Sequence, residues 1–154
     1  HLAPKFLTVH CSGGSAMVKA AVDALPNTQV TGVTILTSLS EADVTEIGFK
    51  SAALDSAVAL SRIAVNAGAG AIVCSPLEIS AVRGEVGASP IIITPGVRPL
   101  DMVGTDDQQR TMTPEDAIAA GANLVVIGRP ITQSWAQGAQ AMKERAQEIG
   151  ADLI

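Results

Sequence analysis

Short apolar runs rich in β-branched residues alternate with longer amphipathic segments along the whole chain. The clearest runs are VTGVTIL, AIVCS, IIIT and LVVIG. Near-continuous Val and Ile runs of this kind are typical of strands in a parallel sheet that is covered on both faces. The pattern predicts five strands, at residues 5–10, 29–36, 71–75, 91–94 and 124–128.

The segments between these runs have the apolar spacing of helices. The predicted helices cover residues 12–25, 41–47, 52–67, a short stretch from 77, a segment that ends at Gly121, and 134–149. The clearest helix start lies at Thr113, a good capping residue, because Pro114 suits the first helical position and Asp116 has capping-box spacing. Strands that alternate with helices predict an α/β fold with a parallel sheet and helices outside it.

Two of these helices have a predicted buried face, and one has a predicted cap. Leu54, Val58 and Val65 share one face of the helix at 52–67, and Gly68 suits its C-terminal cap. In the last helix the predicted buried residues are Ala139, Met142, Ala146 and Ile149.

The length limits how much of a closed barrel the chain can form. A (β/α)8 TIM barrel usually needs about 250 residues, whereas this chain has 154. At about 30 residues per βα unit, it supplies about five of the eight units. We predict a single domain over residues 1–154. The chain opens at His1 and enters its first strand almost at once, so we expect a fragment or a processed product.

Charge and composition exclude several classes of partner. The net charge of −5 disfavours a general affinity for nucleic acid or anionic membranes. Aromatic residues make up 2% of the chain, too few for a platform that stacks bases. No apolar run approaches the roughly 20 residues of a membrane span. Cys11 and Cys74 do not suggest a disulfide framework, and we expect a cytoplasmic protein.

The most informative polar residues follow the last two strands. The sequence TPGVRP, with Gly96 and Arg98, leaves the fourth strand, and IGRPIT, with Gly128 and Arg129, leaves the fifth. Barrels often bind phosphate at these two loops, because glycine lets backbone N–H groups approach an anion and arginine offers a fork of donors. The polar loop at 95–112 is long enough to act as a lid. The alternative is a tight turn with a solvated arginine.

Several longer motifs together resemble one known family. FLTVHCSGG, VTILTSL, AIVCSPLE, TPGVRP, DDQQRTMTPEDAIAAGAN and LVVIGRPIT have the order and spacing of the orotidine 5'-phosphate decarboxylase family. The resemblance covers nearly the whole chain and corresponds to the C-terminal five-eighths of a TIM barrel of the ribulose-phosphate-binding type. It implies that the N-terminal units of the barrel are absent from this chain.

The resemblance also implies a role for the loops that follow the last two strands. Arg129 and the Gly128 backbone resemble the grip on the substrate's 5'-phosphate. Gln108, in DDQQR, resembles the lid glutamine that spans phosphate and pyrimidine. Arg98 resembles a loop arginine near the ligand. The adjacent Gln109 replaces the charged residue that the family often carries, which is expected to affect the rim of the site.

Thr37 and Ser38 lie where the family hydrogen-bonds the edge of the pyrimidine. A hydroxyl suits this position because it both donates and accepts. Thr37 is the primary candidate.

The reaction implied by the resemblance converts orotidine 5'-phosphate to UMP and CO2 without metal or cofactor, as the last step of de novo pyrimidine biosynthesis. The family's catalytic motif, D-x-K-x-x-D with a further lysine one strand earlier, has no match here. The four lysines are Lys5, Lys19, Lys50 and Lys143, and all are predicted away from the carboxyl ends of the strands. We therefore expect no catalytic residue in this chain, an inactive isolated chain, catalytic residues N-terminal to His1, and a homodimer for the intact enzyme.

Other interpretations stay open. One is a non-catalytic half-barrel that binds phosphate, and another is a related sugar-phosphate decarboxylase or synthase. His10 ends a strand and could be a general base, although a hydrogen-bonded side chain at the barrel mouth is the commoner case. A nucleophile at Cys11 or Cys74 has no supporting partner pattern. Glu78 could titrate in the site, although a solvated loop carboxylate is the commoner case.

Overall fold

Five parallel strands form one sheet in the computed structural model, which describes residues 3–99, 101, 112–151 and 153. The strands are β1 Phe6–His10, β2 Gln29–Val33, β3 Ala71–Val73, β4 Ile91–Pro95 and β5 Leu124–Val126. They lie side by side in chain order, and each neighbouring pair is parallel. This order, with a helix in each crossover, is the arrangement of consecutive βα units in a barrel wall.

The connections contain seven α-helices within the described residues. They are α1 Gly14–Ala24, α2 Glu41–Glu46, α3 Ala53–Asn66, α4 Ile79–Val86, α5 Pro114–Ala119, α6 Arg129–Thr132 and α7 Ala139–Ala151. Short 3-10 turns cover Cys11–Gly13, Pro76–Glu78 and Gln133–Gln137. In the described part of the chain, no helix has both the length and the apolar character needed to cross a membrane.

The core lies between the sheet and the helices. Ile72 and Ile92 of the sheet are fully buried there, together with small residues of α3 such as Ala57 and Ala64. A Cβ built at Gly32 in β2 would lie 2.8 Å from Ala64 Cβ and 2.7 Å from Cys11 Sγ. Glycine at this position therefore allows α3 and the turn after β1 to approach the sheet closely.

The opposite face of the sheet is partly open. Val73 and Ile93 are half-buried on it, and on β5 Leu124 and Val126 are 42% and 51% exposed. In a closed barrel, residues on this face fill the interior in layers.

Local chemistry explains the helix ends that the sequence predicts. Thr113 Oγ1 accepts the Asp116 N–H at 3.1 Å and caps α5, with Pro114 in the first turn. The chain takes positive φ at Gly68 (96°) and Gly121 (112°), just past α3 and α5, which confirms the predicted end at Gly121 and the cap at Gly68. Ser40 and Asp43 form a full capping box at α2.

Several predicted boundaries and faces are wrong. The second, third and fifth strands end two or three residues earlier than predicted. The last helix begins at Ala139 and not at residue 134, because Gly138 takes a φ of 105° that interrupts the helix. Leu54 is exposed, since the buried stripe of α3 consists of Ala53, Ala57, Leu60 and Ala64 with two serines. Ala139 is also exposed, and Ile149 is the buried residue of α7.

Candidate functional site

The carboxyl ends of the five strands lie along one edge of the sheet, because all five are parallel and in sequential order. Each strand runs there into a segment with polar residues or glycine. Thr37 and Ser38 follow β2, Arg98 follows β4, and Gly128 and Arg129 follow β5. Ligands of parallel α/β proteins bind at this edge.

The segment after β4 places an arginine inside the protein. Gly96 turns the chain with a φ of 83°, and Val97 then forms an isolated parallel bridge with Met112. The Arg98 N–H donates to the Met112 carbonyl at 2.9 Å, so the two ends of the loop at 98–112 lie together. The Arg98 side chain donates from Nη1 to the Val97 carbonyl at 2.9 Å, and the residue is only 5% exposed.

The segment after β5 is open to solvent. Gly128 has φ −102° and ψ −94°, and a Cβ there would meet no described atom within 4 Å. Its carbonyl accepts the Ile131 and Thr132 N–H groups, which starts the short helix α6 at Arg129. Arg129 is exposed. No described atom therefore covers this side of the Gly128 backbone closely.

The segment after β2 offers two hydroxyl groups. Thr34 continues the sheet hydrogen bonding, because its N–H and Oγ1 both donate to the Val73 carbonyl, at 3.1 and 2.9 Å. Thr37, three residues later, is half-buried, and Ser38 is exposed. Ser40 donates from its N–H and Oγ to Asp43, and these hydrogen bonds lower the pKa of the Asp43 carboxyl. The segment that carries Thr37 and Ser38 therefore ends at Ser40, where the capping box starts α2.

A buried carboxylate follows β3, which the sequence did not indicate. Glu78 is 2% exposed, and its Oε2 accepts the Ser75 N–H at 2.9 Å. The expectation of a solvated loop carboxylate is therefore wrong. Ser75 Oγ is also buried and has no hydrogen-bond partner among the described residues. The spacing Ser75-Pro76-x-Glu78 matches a capping box, which indicates the hydrogen bond from the Ser75 N–H to Glu78 but not the burial of the carboxylate.

The two cysteines are unsuited to nucleophilic chemistry. Burial raises the pKa of the Cys11 thiol to about 11. Burial, with the nearby Glu78 carboxylate as a second cause, raises the pKa of the Cys74 thiol to about 12. A reactive cysteine needs a lowered pKa and access to solvent, and both thiols are buried. Both therefore stay protonated at neutral pH.

Gln108 and Gln109 lie outside the described residues. Within the described ranges, no group of three or more His, Cys, Asp and Glu side chains is arranged to hold a metal ion.

The sequential parallel strands and their polar carboxyl ends place the chain among the (β/α) barrels, of which it contributes five βα units. Residues 1–144 match the family described as the orotidine 5'-phosphate decarboxylase / HUMPS family. The chain belongs to this family.

Curated relatives cover most of the chain. The orotidine 5'-phosphate decarboxylase of Thermobifida fusca is 51% identical over 152 residues, which are 97% of the chain and 65% of the relative. The enzyme of the same name from Frankia casuarinae is 50% identical over 131 residues, which are 85% of the chain and 47% of the relative. The chain thus spans between about half and two thirds of the length of these relatives.

Solved structures show the same fold. The crystal structure of orotidine 5'-phosphate decarboxylase from Lactobacillus acidophilus has a TM-score of 0.78 at 31% identity, over 97% of this chain and 63% of that one. An uncharacterized conserved protein from Geobacillus kaustophilus has a TM-score of 0.76 at 23% identity, over 97% of this chain and 64% of that one. The latter likeness concerns the fold alone.

Proposed function

We propose that this chain holds the 5'-phosphate and the pyrimidine of orotidine 5'-phosphate in an orotidine 5'-phosphate decarboxylase. The observation that carries the proposal is the pair of arginine-bearing segments, at Arg98 and at Gly128-Arg129, at the carboxyl ends of adjacent strands. Two cationic side chains and an open glycine backbone at one barrel edge suit a phosphate dianion. Family membership supports the same assignment.

The roles of the phosphate residues follow from their exposure and charge. Arg129 is exposed beside the open backbone of Gly128, so it can give its fork of N–H donors to an incoming phosphate. Arg98 is buried, so we assign it the role of a fixed positive charge that attracts the phosphate. Gln108 is assigned to the contact that spans phosphate and base. Binding energy from a remote phosphate can organise a site without any chemistry at the phosphate.

Thr37 is the proposed contact to the pyrimidine edge. Its half-buried hydroxyl follows β2 at the barrel mouth, and a hydroxyl can satisfy either a donor or an acceptor on the base. Ser38 is exposed and is the second candidate. Three inter-strand spacings separate β2 from β5 in the sheet, so this pair lies apart from Arg129. We assign the pyrimidine contact to the pair because a nucleotide likewise holds its base away from its phosphate.

The chemical step is assigned to residues outside this chain. Lys19 pairs with Asp23 at 2.9 Å on the exposed surface of α1. Lys5 precedes β1, at the amino end of the strand, and lies 5.8 Å from the Phe6 ring centre. Lys50 and Lys143 are exposed in a connection and in α7. These positions do not suit the protonation of a carbanion at the carboxyl edge of the sheet. We therefore propose that the isolated chain is inactive. We also propose that the complete enzyme is cofactor-independent, cytoplasmic and homodimeric.

A reconstitution assay tests this proposal. The part of the Thermobifida fusca relative that this chain does not match is added as a separate polypeptide, and loss of orotidine 5'-phosphate is followed with each piece alone and with both. Turnover is expected only from the mixture. Turnover by the chain alone would refute the assignment of chemistry to missing residues.

A non-catalytic phosphate-binding module is the second candidate, because no described lysine lies at the carboxyl ends of the strands. Nucleotide binding without turnover in the mixture, when the relative's intact enzyme is active under the same conditions, would favour it.

A further inference from the structure

Arg145 of α7 holds the start of the loop that leads from β4 to α5. Its Nη2 donates to both carboxylate oxygens of Asp101, at 2.8 and 2.7 Å. Its Nη1 donates to Glu148 Oε2 at 2.8 Å. The Arg145 side chain is only 17% exposed, and its hydrogen bonds to Glu148 and Asp101 raise the pKa of the guanidinium. The contact therefore joins two segments that are 44 residues apart in the chain.

The C-terminal end of this loop, at Met112, lies close to its start at Arg98. Arg98 donates its N–H to the Met112 carbonyl, and the cap of α5 follows one residue after Met112. A cleft of about 250 Å³ lies between these parts and is lined by Pro99, Asp101, Pro114 and Arg145, among others. Both ends of the loop at 98–112 thus meet α5 and α7 around a single arginine.

We infer that Arg145 is a positioning residue for the phosphate site, an inference that rests on the proposed function. Through Asp101 it fixes the backbone that carries Arg98, three residues away, without touching the ligand itself. A binding group held by a rigid neighbour loses less freedom when the ligand binds. Loss of Arg145 would also leave Asp101, Glu115 and Glu148 as unbalanced negative charges around the cleft, which disfavours an incoming anion.

The Arg145 side chain is only 17% exposed, although Asp101 and Glu148 are 62% and 66% exposed, so the contact differs from an ordinary surface ion pair in the burial of its arginine. Exposed pairs contribute about 0–1 kcal/mol, and Arg62 with Glu85 is such a pair, at 3.2 Å between α3 and α4 with the arginine side chain 56% exposed. Arg145 binds two carboxylates, one of them 44 residues away in the chain. Arg62→Met therefore serves as the matched control for Arg145→Met.

The test compares Arg145→Met, Asp101→Asn and the reversed pair R145D/D101R with wild type and Arg62→Met. Titration calorimetry gives the affinities for UMP and uridine, and hydrogen exchange gives the protection of the Arg98 amide. We expect Arg145→Met and Asp101→Asn to weaken UMP binding about tenfold, to leave uridine binding nearly unchanged and to speed exchange at Arg98. The reversed pair should recover part of both effects, and Arg62→Met should change neither.

The outcomes separate this inference from the proposed function. Unchanged UMP affinity in both single variants, with wild type binding, overturns the role of Arg145 and leaves the proposed function standing. An equal loss of UMP and uridine binding also overturns it, because that result indicates general loosening. If wild type binds no UMP, the proposed function is wrong, and Arg98 exchange alone decides whether Arg145 fixes this backbone. Should Arg145→Met unfold, Asp101→Asn at its exposed position carries the test.

Discussion

At the scale of single residues, the two arginines of the proposed phosphate site differ in their surroundings. Arg98 is buried and bonded to its own backbone neighbour, while Arg129 is exposed beside an open glycine. A buried guanidinium is held before the ligand arrives, so its contribution is a fixed field. An exposed guanidinium is accessible to the ligand and can contribute direct hydrogen bonds.

Arg129→Ala should remove the direct contact to the phosphate. In the complete enzyme we expect a loss of about 2–4 kcal/mol of transition-state stabilisation, on the scale of a charged hydrogen-bonded contact. The measurement is kcat/KM for orotidine 5'-phosphate, with Arg62→Ala as the control at an exposed ion pair. Normal kcat/KM in Arg129→Ala would contradict the assignment.

The buried thiols predict a dependence of stability on alkaline pH. Their pKa values in the fold, about 11 for Cys11 and about 12 for Cys74, lie above the ordinary value of 9.0. The unfolded chain therefore releases these protons first. Their contribution to the free energy of unfolding is complete below about pH 9 and falls as pH rises towards 11–12.

Thiolate absorbance in the ultraviolet measures this directly, since the chain has no tyrosine whose ionisation would overlap. At pH 10 the folded chain should show almost no thiolate, and the denatured chain should show both. Full thiolate absorbance in a chain that is still folded by circular dichroism would contradict the account of burial.

At the scale of elements, Arg83 joins α4 to the amino ends of β4 and β5. Its Nη1 donates to the Gly87 and Pro90 carbonyls, both at 2.8 Å. Its Nη2 donates to the Gly121 carbonyl at 2.9 Å and to Asn123 Oδ1 at 2.7 Å. Asn123 Oδ1 also accepts the Ile92 N–H at 2.8 Å. One side chain thus satisfies three backbone carbonyls in two connections, α4 to β4 and α5 to β5, at the edge of the sheet opposite to the proposed site.

Arg83→Met should therefore destabilise the fold without changing nucleotide contacts. Three carbonyl groups would lose their charged donor, so we expect a loss of about 2–3 kcal/mol in the free energy of unfolding. Urea denaturation gives the value, with Arg62→Met as the control, expected within about 0.5 kcal/mol of wild type. Equal midpoints for the two variants would show that the Arg83 network contributes little.

The sequence predicts elements better than it predicts their ends or faces. The five strands and the cap at Thr113 follow from local patterns, and the structure has both. The burial of Glu78 and Arg98 depends on loops of adjacent strands that meet only in the fold. The buried stripe of α3 consists mainly of alanines and serines, so apolar periodicity pointed to the bulkier Leu54. The predicted last helix is interrupted at Gly138 by a positive φ, which the spacing of apolar residues does not predict.

At the scale of the whole molecule, helices cover one face of the five-stranded sheet, and the other face is partly open within the described residues. The other face of β5 carries Leu124 and Val126 in exposed positions, and β1 and β5 each pair on one side within the described sheet. Exposed edges and apolar faces favour association with further strands. The relatives are longer than this chain, and their additional length is the source of the complementing units in the proposed reconstitution.

The barrel fold as a whole allows ligand binding and the chemical step to be carried by different strands. Barrel enzymes take their functional residues from the ends of several strands. The five strands described here supply the proposed phosphate and pyrimidine contacts, and the chemical step is assigned elsewhere. Nucleotide affinity can therefore be measured in this chain independently of turnover.

The most direct measurement is the pair of dissociation constants for UMP and uridine, obtained by titration calorimetry on wild type and Arg129→Ala. We predict that wild type binds UMP at least about tenfold more tightly than uridine, since the phosphate adds charged hydrogen bonds. Arg129→Ala should lose most of this difference. Equal affinities for the two ligands in wild type, or an unchanged preference in the variant, would contradict the assignment of the phosphate contact to Arg129.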